Sequence, residues 1–214
     1  MRLRVMAVSW LLATAACAGI SAPLESTPSF EPGHAMHDSF QLLQGMTLDR
    51  GGSRLAFQGG DGRGGAKVDV WDAQESVWQA HWRLAPGQLF AAGGGFLRVE
   101  GVEPGARATL HLAPASDSGG IAAPAPGQPV VPMDGSLDIG QTRIELLEIS
   151  DDGAATARLW PKLYPLAKTD PEDIREMRLA PGDEVQVGRR LYRVDRVQRD
   201  AGELRGFVAL TPEP

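Results

Sequence analysis

RLAPGQLFAAGGGFLRVEGV (83–102) and RLAPGDEVQVGRRLYRVDRV (178–197) lie over one another without a gap. The overlay matches Gly93 with Gly188, Arg98 with Arg193, Val99 with Val194 and Val102 with Val197. It sets Glu100 on Asp195, and apolar Phe90, Phe96 and Leu97 on Val185, Leu191 and Tyr192. After a small insertion the agreement continues from ATLHLAP (108–114) to FVALTP (207–212). A fainter pair precedes each copy: QGMTLDRGGSRLAF (44–57) with KVDVWD (67–72), and DGSLDIGQTRIELLEI (134–149) with TARLWP (156–161). In that pair Leu48 falls on Leu137 and Trp71 on Trp160. Self-similarity on this scale predicts two homologous domains, each made of two related halves.

The repeated unit reads as strand. Val185-Gln-Val187, Leu137-Asp-Ile139, Leu110-His-Leu112 and Val68-Asp-Val70 alternate with period two, the spacing at which one face of a strand is buried. Gly51, Gly93, Gly140 and Gly188 stand where tight turns need positive φ. Each half is therefore expected to be a three-stranded meander, and since one meander cannot hide its apolar side, two must close on each other. The predicted fold is all-β: two homologous small β-sandwich or barrel domains in tandem, each of two meander-like halves joined by a short helical connector. The connectors are DAQESVWQAHW (72–82) and KLYPLAKTDPEDIREM (162–177). In the first, Asp72 and Glu75 have capping-box spacing, and Trp78 and Trp82 stand four apart. In the second, Asp170 precedes Pro171 at the first helical position, and Ile174 and Met177 share a side. Both run into RLAPG, whose Pro-Gly turns the chain into the next strand.

Outside the repeats the chain changes character. Residues 1–22 carry Arg2 and Arg4, an apolar run from Val5 to Ala16, and small residues around Cys17. The run falls far short of the roughly 20 residues of a spanning helix and reads as an export signal. Thr14-Ala15-Ala16-Cys17 resembles the lipobox of bacterial lipoproteins. The resemblance implies that Cys17, the chain's only cysteine, is the lipid-attachment residue and becomes the first residue of the mature chain. Ala18 in place of an aspartate implies, by resemblance to lipoprotein sorting, the periplasmic face of the outer membrane. The competing reading is simple cleavage at Ala16-Cys17-Ala18 or Ile20-Ser21-Ala22, which leaves a secreted or periplasmic protein. Residues 23–38 read as a flexible tether and 115–129 as a Pro/Gly/Ala linker, which bounds the β domains at 39–114 and 130–212.

Composition excludes some partners. Hydrophobic residues make up 43% and charged residues 22%, with a formal net charge of −6. An acidic chain with its 21 Lys and Arg spread along it is not built to bind nucleic acid. With one cysteine no intrachain disulfide exists, so stability must come from the core.

Three features invite a sharper function. Asp117-Ser118-Gly119-Gly120 resembles the nucleophile motif of trypsin-like serine proteases, but no segment resembles that family's histidine motif, and the expectation is that the chain is not an enzyme. His34, Met36, His37 and Met46 form a donor set suited to copper. They sit mostly in the tether, where nothing holds ligands in place, so no cofactor and no metal ligand is assigned. His81 and His111 are expected to be structural, the one beside Trp82 and the other on the outer face of a return strand. GRRLYRVDRVQR (188–199) is rich in arginine, interleaved with acids as a solvated strand face would be. The reading these features favour is a non-enzymatic cell-envelope lipoprotein, held to the membrane by its lipid, with a structural or assembly-accessory role toward an envelope protein partner. The alternative is a periplasmic protein that binds or delivers copper through the His/Met cluster.

Overall fold

The computed structural model describes residues 39–74, 77–115, 118–162 and 173–214. Its strands come in two runs of eight. The first is β1 (Phe40–Leu43), β2 (Thr47–Arg50), β3 (Ser53–Gly60), β4 (Ala66–Asp72), β5 (Trp78–Leu84), β6 (Leu89–Ala92), β7 (Gly95–Glu103) and β8 (Thr109–Pro114). The second is β9 (Val130–Pro132), β10 (Leu137–Ile139), β11 (Thr142–Ile149), β12 (Ala155–Pro161), β13 (Arg175–Leu179), β14 (Glu184–Val187), β15 (Arg190–Gln198) and β16 (Phe207–Pro212). The first run forms sheets in the order β2-β3-β4-β5 and β1-β8-β7-β6; the second forms β10-β11-β12-β13 and β14-β15-β16-β9. Adding eight to each strand number of the first copy reproduces the second. The irregularities repeat as well. β3 is bulged between Phe57 and Gly59 and β11 between Leu146 and Glu148; β7 is bulged between Val99 and Gly101 and β15 between Val194 and Arg196. The chain is all-β and duplicated.

Alternation in sequence becomes alternation in burial. Strand β14 is exposed-buried-exposed-buried, and β4 buries Ala66, Val68 and Val70. The first core joins Leu55, Phe57, Val68 and Trp82 of one sheet to Phe90, Leu97, Val99, Leu110 and Leu112 of the other, none more than 1% exposed. The second joins Leu137, Ile144 and Ala157 to Val185, Val194, Val208 and Leu210 in the same way. Each such large side chain contributes on the order of 1.5–3 kcal/mol by leaving water.

The twice-repeated pentapeptide is one turn made twice. Gly87 and Gly182 have φ of 84° and 91°, as the third residue of a Pro-Gly turn requires. The N–H of Gly87 donates to Val99 O at 2.7 Å and that of Gly182 to Val194 O at 2.8 Å. The residue after each glycine folds its side chain back: Gln88 Oε1 accepts from Ala85 N–H, and Asp183 Oδ2 from Ala180 N–H, both at 2.7 Å. Removing one exposed acceptor costs roughly 0.5–1 kcal/mol. Asp183→Ala should therefore lower the urea midpoint slightly, and Asp183→Asn, which keeps an acceptor, should not.

The expected helical connector is not what joins the halves of the first copy: Trp78–Leu84 is strand, the fourth of its sheet. Trp78 and Trp82 do not share a face. Val70 pairs with Ala80 and Trp71 with Trp78, so Gln79 is an extra residue that turns Trp78 over. Trp82 then fills the first core, while Trp78 packs against the second. Of the second connector, Asp170 and Pro171 lie outside the described residues, as does Glu75 of the first, and Met177 sits in β13. Each sheet thus has four strands, against the three expected of a meander. In one sheet the fourth comes from the connector, and in the other from β1 or β9, which adds beside the return strand.

The described residues, from 39 to 214, belong to one compact unit. Val130, Leu204, Phe207 and Ala209 of the second copy complete the first core. The backbones meet at His81 and Ser136, whose N–H groups donate to each other's carbonyl oxygens at 2.7 and 3.0 Å. They meet again where Leu89 N–H donates to Glu203 O and Arg205 N–H to Leu89 O, at 2.8 and 3.1 Å. Residues 118–129, expected as linker, lie against this body: Ile121 and Ala123 pack on the first core.

Candidate interaction site

Two hairpin turns meet in each copy, one between the second and third strands and one between the sixth and seventh. In the first copy they are Arg50-Gly51-Gly52-Ser53 and Ala92-Gly93-Gly94-Gly95, and Gly51, Gly52, Gly93 and Gly94 all have positive φ. The turns touch backbone to backbone: a Cβ added to Gly51 would stand 2.5 Å from Gly93 O, and one on Gly93 2.6 Å from Arg50 O. Over them sits Ala125-Pro126-Gly127-Gln128, a third Pro-Gly turn built like the two in RLAPG, with Gln128 Oε1 accepting from Ala125 N–H at 3.0 Å. Pro126 lies on Gly94 so closely that a Cβ there would be 2.8 Å from its ring. Buried Gln79, the extra residue of β5, binds this plug. Its amide oxygen accepts from Gly127 N–H at 3.2 Å and Asp72 N–H at 3.1 Å, and its amide nitrogen donates to Ser53 Oγ at 2.8 Å. Only about 10 Å³ of space remains around the plug.

The second copy differs at the plug-bearing positions. Gly52 becomes Gln141, Gly94 becomes Arg189, Gly95 becomes Arg190, and Gln79 becomes Ile174, which is 36% exposed. A side chain at the place of Gly94 occupies the room a proline ring would need. The turns also stand farther apart: nothing approaches within 4 Å of a Cβ on Gly140, and a Cβ on Gly188 meets the Thr142 side chain at 3.3 Å but the backbone of the facing turn, at Ile139 O, only at 3.8 Å. What is a filled seam in the first copy is an open notch of about 640 Å³ in the second. Ile139, Pro161 and Val187 give it apolar lining, and Gln141, Thr142, Arg189 and Arg190 give it polar lining.

The notch draws on only part of the arginine-rich stretch. Arg193 pairs with Glu213 at 3.4 Å, Arg199 with Asp151 at 2.6 Å, and Arg205 with Asp134 and Asp200. Arg196 lies over the Phe207 ring, 5.3 Å from its centre. Of the acids that follow the stretch, Asp200 pairs with Arg205, and Glu203 reaches across to Arg98 of the first copy at 2.8 Å. Arg189 and Arg190 make no ion pair with any described residue.

A second polar cluster closes the seam between the copies. The pair Asp49–Arg54 recurs as Asp138–Arg143, two-pronged in each case. The first lies in solvent, with Asp49 56% exposed, whereas the Asp138 side chain is 1% exposed because β5 covers it. There Asp138 gains Lys162 Nζ at 2.6 Å and His81 Nε2 at 3.4 Å, while His81 Nδ1 bonds Asp69 Oδ1 at 2.8 Å. Trp78 lies against the imidazole with ring centres 4.4 Å apart, and Trp71 lies against Trp78 at the same separation. Burial works to lower the His81 pKa, but the Asp138 and Asp69 carboxylates outweigh it and hold the ring above its ordinary value. Burial likewise works to raise Asp138, and its three cationic neighbours override it, keeping the carboxyl far below the usual carboxylate range. His81, expected as a structural residue beside Trp82, is a strut between the two copies.

Of the residues singled out in the sequence, Cys17, His34, Met36 and His37 lie outside the described residues. Met46 is 47% exposed at the foot of β2, and no group of three or more His, Cys, Asp or Glu among the described residues is placed to hold a metal ion. His111 lies on the outer face of β8 beside Gln41 and Glu103. The Ser118 hydroxyl donates to Ile121 O at 2.6 Å, which closes a local turn. The notch was not among the expected sites. Its sequence signal was the exchange of Gly94 and Gly95 for Arg189 and Arg190 inside the gapless overlay, together with that of Gly52 for Gln141 in the fainter pair. Comparison with protein-family models, curated proteins and solved structures finds no match for this chain.

Proposed function

We propose that the chain is a non-catalytic interaction module of the bacterial cell envelope, tethered to the periplasmic face of the outer membrane through Cys17, and that the second copy carries the contact surface while the first serves as its scaffold. The observation that supports this most is the divergence of one duplicated feature. The turn pair is plugged and glycine-lined in the first copy, and open and arginine-lined in the second. Maintaining two arginines beside apolar surface with no ion-pair partner among the described residues serves folding poorly, since neither gains a counter-charge there. It serves binding well, because a docked group supplies the missing counter-charge. A rigid β body carrying both copies suits presentation of such a surface at the end of a tether.

Two measurements on one set of strains test the reading. Wild-type protein should sediment with membranes, and Cys17→Ala should move to the soluble periplasm; an unchanged distribution removes the anchor. A photo-crosslinking side chain in place of Gln141 should give a discrete adduct in intact cells, whereas the same group in place of Glu184, one strand away, should not. Equal labelling from both positions, or none, sinks the interaction role.

A further inference from the structure

The notch has a filled counterpart in the same molecule, and the counterpart shows what kind of object fits. In the first copy a short stretch of polypeptide lies across the two turns, with the Gly127 N–H bonded to Gln79 and the Gln128 side chain reaching onward to Asp195 and Thr211. In the second copy the same cleft is empty of any described segment and changed in two ways. Arg189 stands in place of Gly94, which excludes a proline ring set down as Pro126 is. Among the described residues, the ionisable side chains lining the cleft are Arg189 and Arg190, with no carboxylate beside them. In a chain of net charge −6, the described lining of this concavity carries positive charge alone.

We propose that this notch docks an extended acidic segment of a partner polypeptide, its backbone lying across the β10–β11 and β14–β15 turns as residues 125–128 lie across the corresponding turns of the first copy, with its carboxylates on Arg189 and Arg190. The proposal rests on the interaction-module reading and adds the chemistry of the partner. Guanidinium forks donate two-pronged to carboxylates, and Ile139 and Pro161 give the small apolar side chains between the acids an apolar surface. A polypeptide is favoured over a lipid headgroup because the duplicated site is occupied by main chain and because a cleft between two turns accommodates a strand-like object.

The probe is a fluorescein-labelled dodecapeptide of alternating glutamate and alanine, read by anisotropy against the full-length protein in neutral detergent. The control is the same peptide with every glutamate replaced by glutamine. The acidic peptide should bind saturably and the control should not. Arg189→Gln with Arg190→Gln should weaken binding by about tenfold or more, as loss of two charge-assisted contacts implies. Both residues are exposed and make no ion pair with any described residue, so this variant should keep its fold. Gln141→Trp, which fills the notch and leaves both charges in place, should also abolish binding; if it does not, the attraction is diffuse and the notch is not the site. Equal binding of the two peptides, or binding indifferent to the arginines, overturns the proposal. So does capture of phosphatidylglycerol vesicles through the same arginines while the peptide stays free. If the adduct at position 141 forms in cells while the acidic peptide fails, the interaction module stands and the acidic occupant falls; if both fail, both fall.

Discussion

Replacing Asp138 with alanine is expected to destabilise the folded body by about 2–4 kcal/mol, the largest effect of any polar substitution in the described residues. Removing one partner from a buried charge cluster costs about 3–5 kcal/mol because the remaining charges stay desolvated. Here the figure is discounted because Arg143 and Lys162 are 32% and 46% exposed and recover part of their hydration, while His81, at 18%, does not. Asp49→Ala supplies the internal control. It removes the same two-pronged pair from the first copy, where solvent already screens it, and the urea midpoint should scarcely move. Equal losses from the two variants would mean that the cover provided by β5 contributes nothing.

The pH dependence of the same cluster follows from its two shifted groups. Asp138 titrates below its ordinary range when folded, so its contribution is present above the usual carboxylate pKa near 4 and is lost as pH falls toward the folded value. His81 titrates above 6.5 when folded, so its contribution is complete below 6.5 and is lost as pH rises through the raised pKa. Urea midpoints of the wild type should therefore decline on both sides of a plateau. His81→Gln should flatten the alkaline decline and also shrink the acid limb, because it removes one of the three cations that hold Asp138 low; Arg143 and Lys162 remain, so the acid limb should not vanish.

Gly51→Ala is expected to cost about 3 kcal/mol or more, and Gly140→Ala only about 1, although the two glycines are counterparts with φ of 57° and 59°. A left-handed backbone penalises any Cβ by about 1–2 kcal/mol, and both variants bear that cost. At Gly51 the new atom also stands 2.5 Å from Gly93 O, a backbone atom that cannot swing aside, and the turns must part. At Gly140 it meets nothing within 4 Å. Parting the turns should also loosen the plug, so Gly51→Ala should speed amide exchange at Gly127 while Gly140→Ala leaves it alone. Equal costs would mean that the closed and open turn pairs are not the difference they are taken to be.

Much of the architecture was legible before any coordinates. Duplication of RLAPG and of the apolar pattern behind it required two copies of one unit, because each matched position repeats a local need: Val99 and Val194 for the same inward site before a bulge, Gly87 and Gly182 for the same positive φ. These are demands of a few neighbouring residues on one another, and sequence records them directly. The segment from Trp78 to Trp82 shows where that record ends. A spacing of four fits one face of a helix and one face of a strand alike. The choice fell to β4, whose free edge offered backbone partners that an isolated helix of three turns or fewer could not match. The bulge at Gln79 then sent the two tryptophans to different cores, a result of pairing register that no periodicity contains.

The sequence by itself determined the all-β class, the doubling and the turns, since strand alternation, Pro-Gly geometry and glycine φ are set within a few residues along the chain. Tertiary structure alone decided that the second copy completes the core of the first, that Asp138 is buried while its twin Asp49 lies in solvent, and that Pro126 plugs one turn pair while no described segment covers the other beside Arg189 and Arg190. Burial and occupancy are properties of what a distant segment places on top of a residue, and matching residue pairs acquire different chemistry when only one of them is covered.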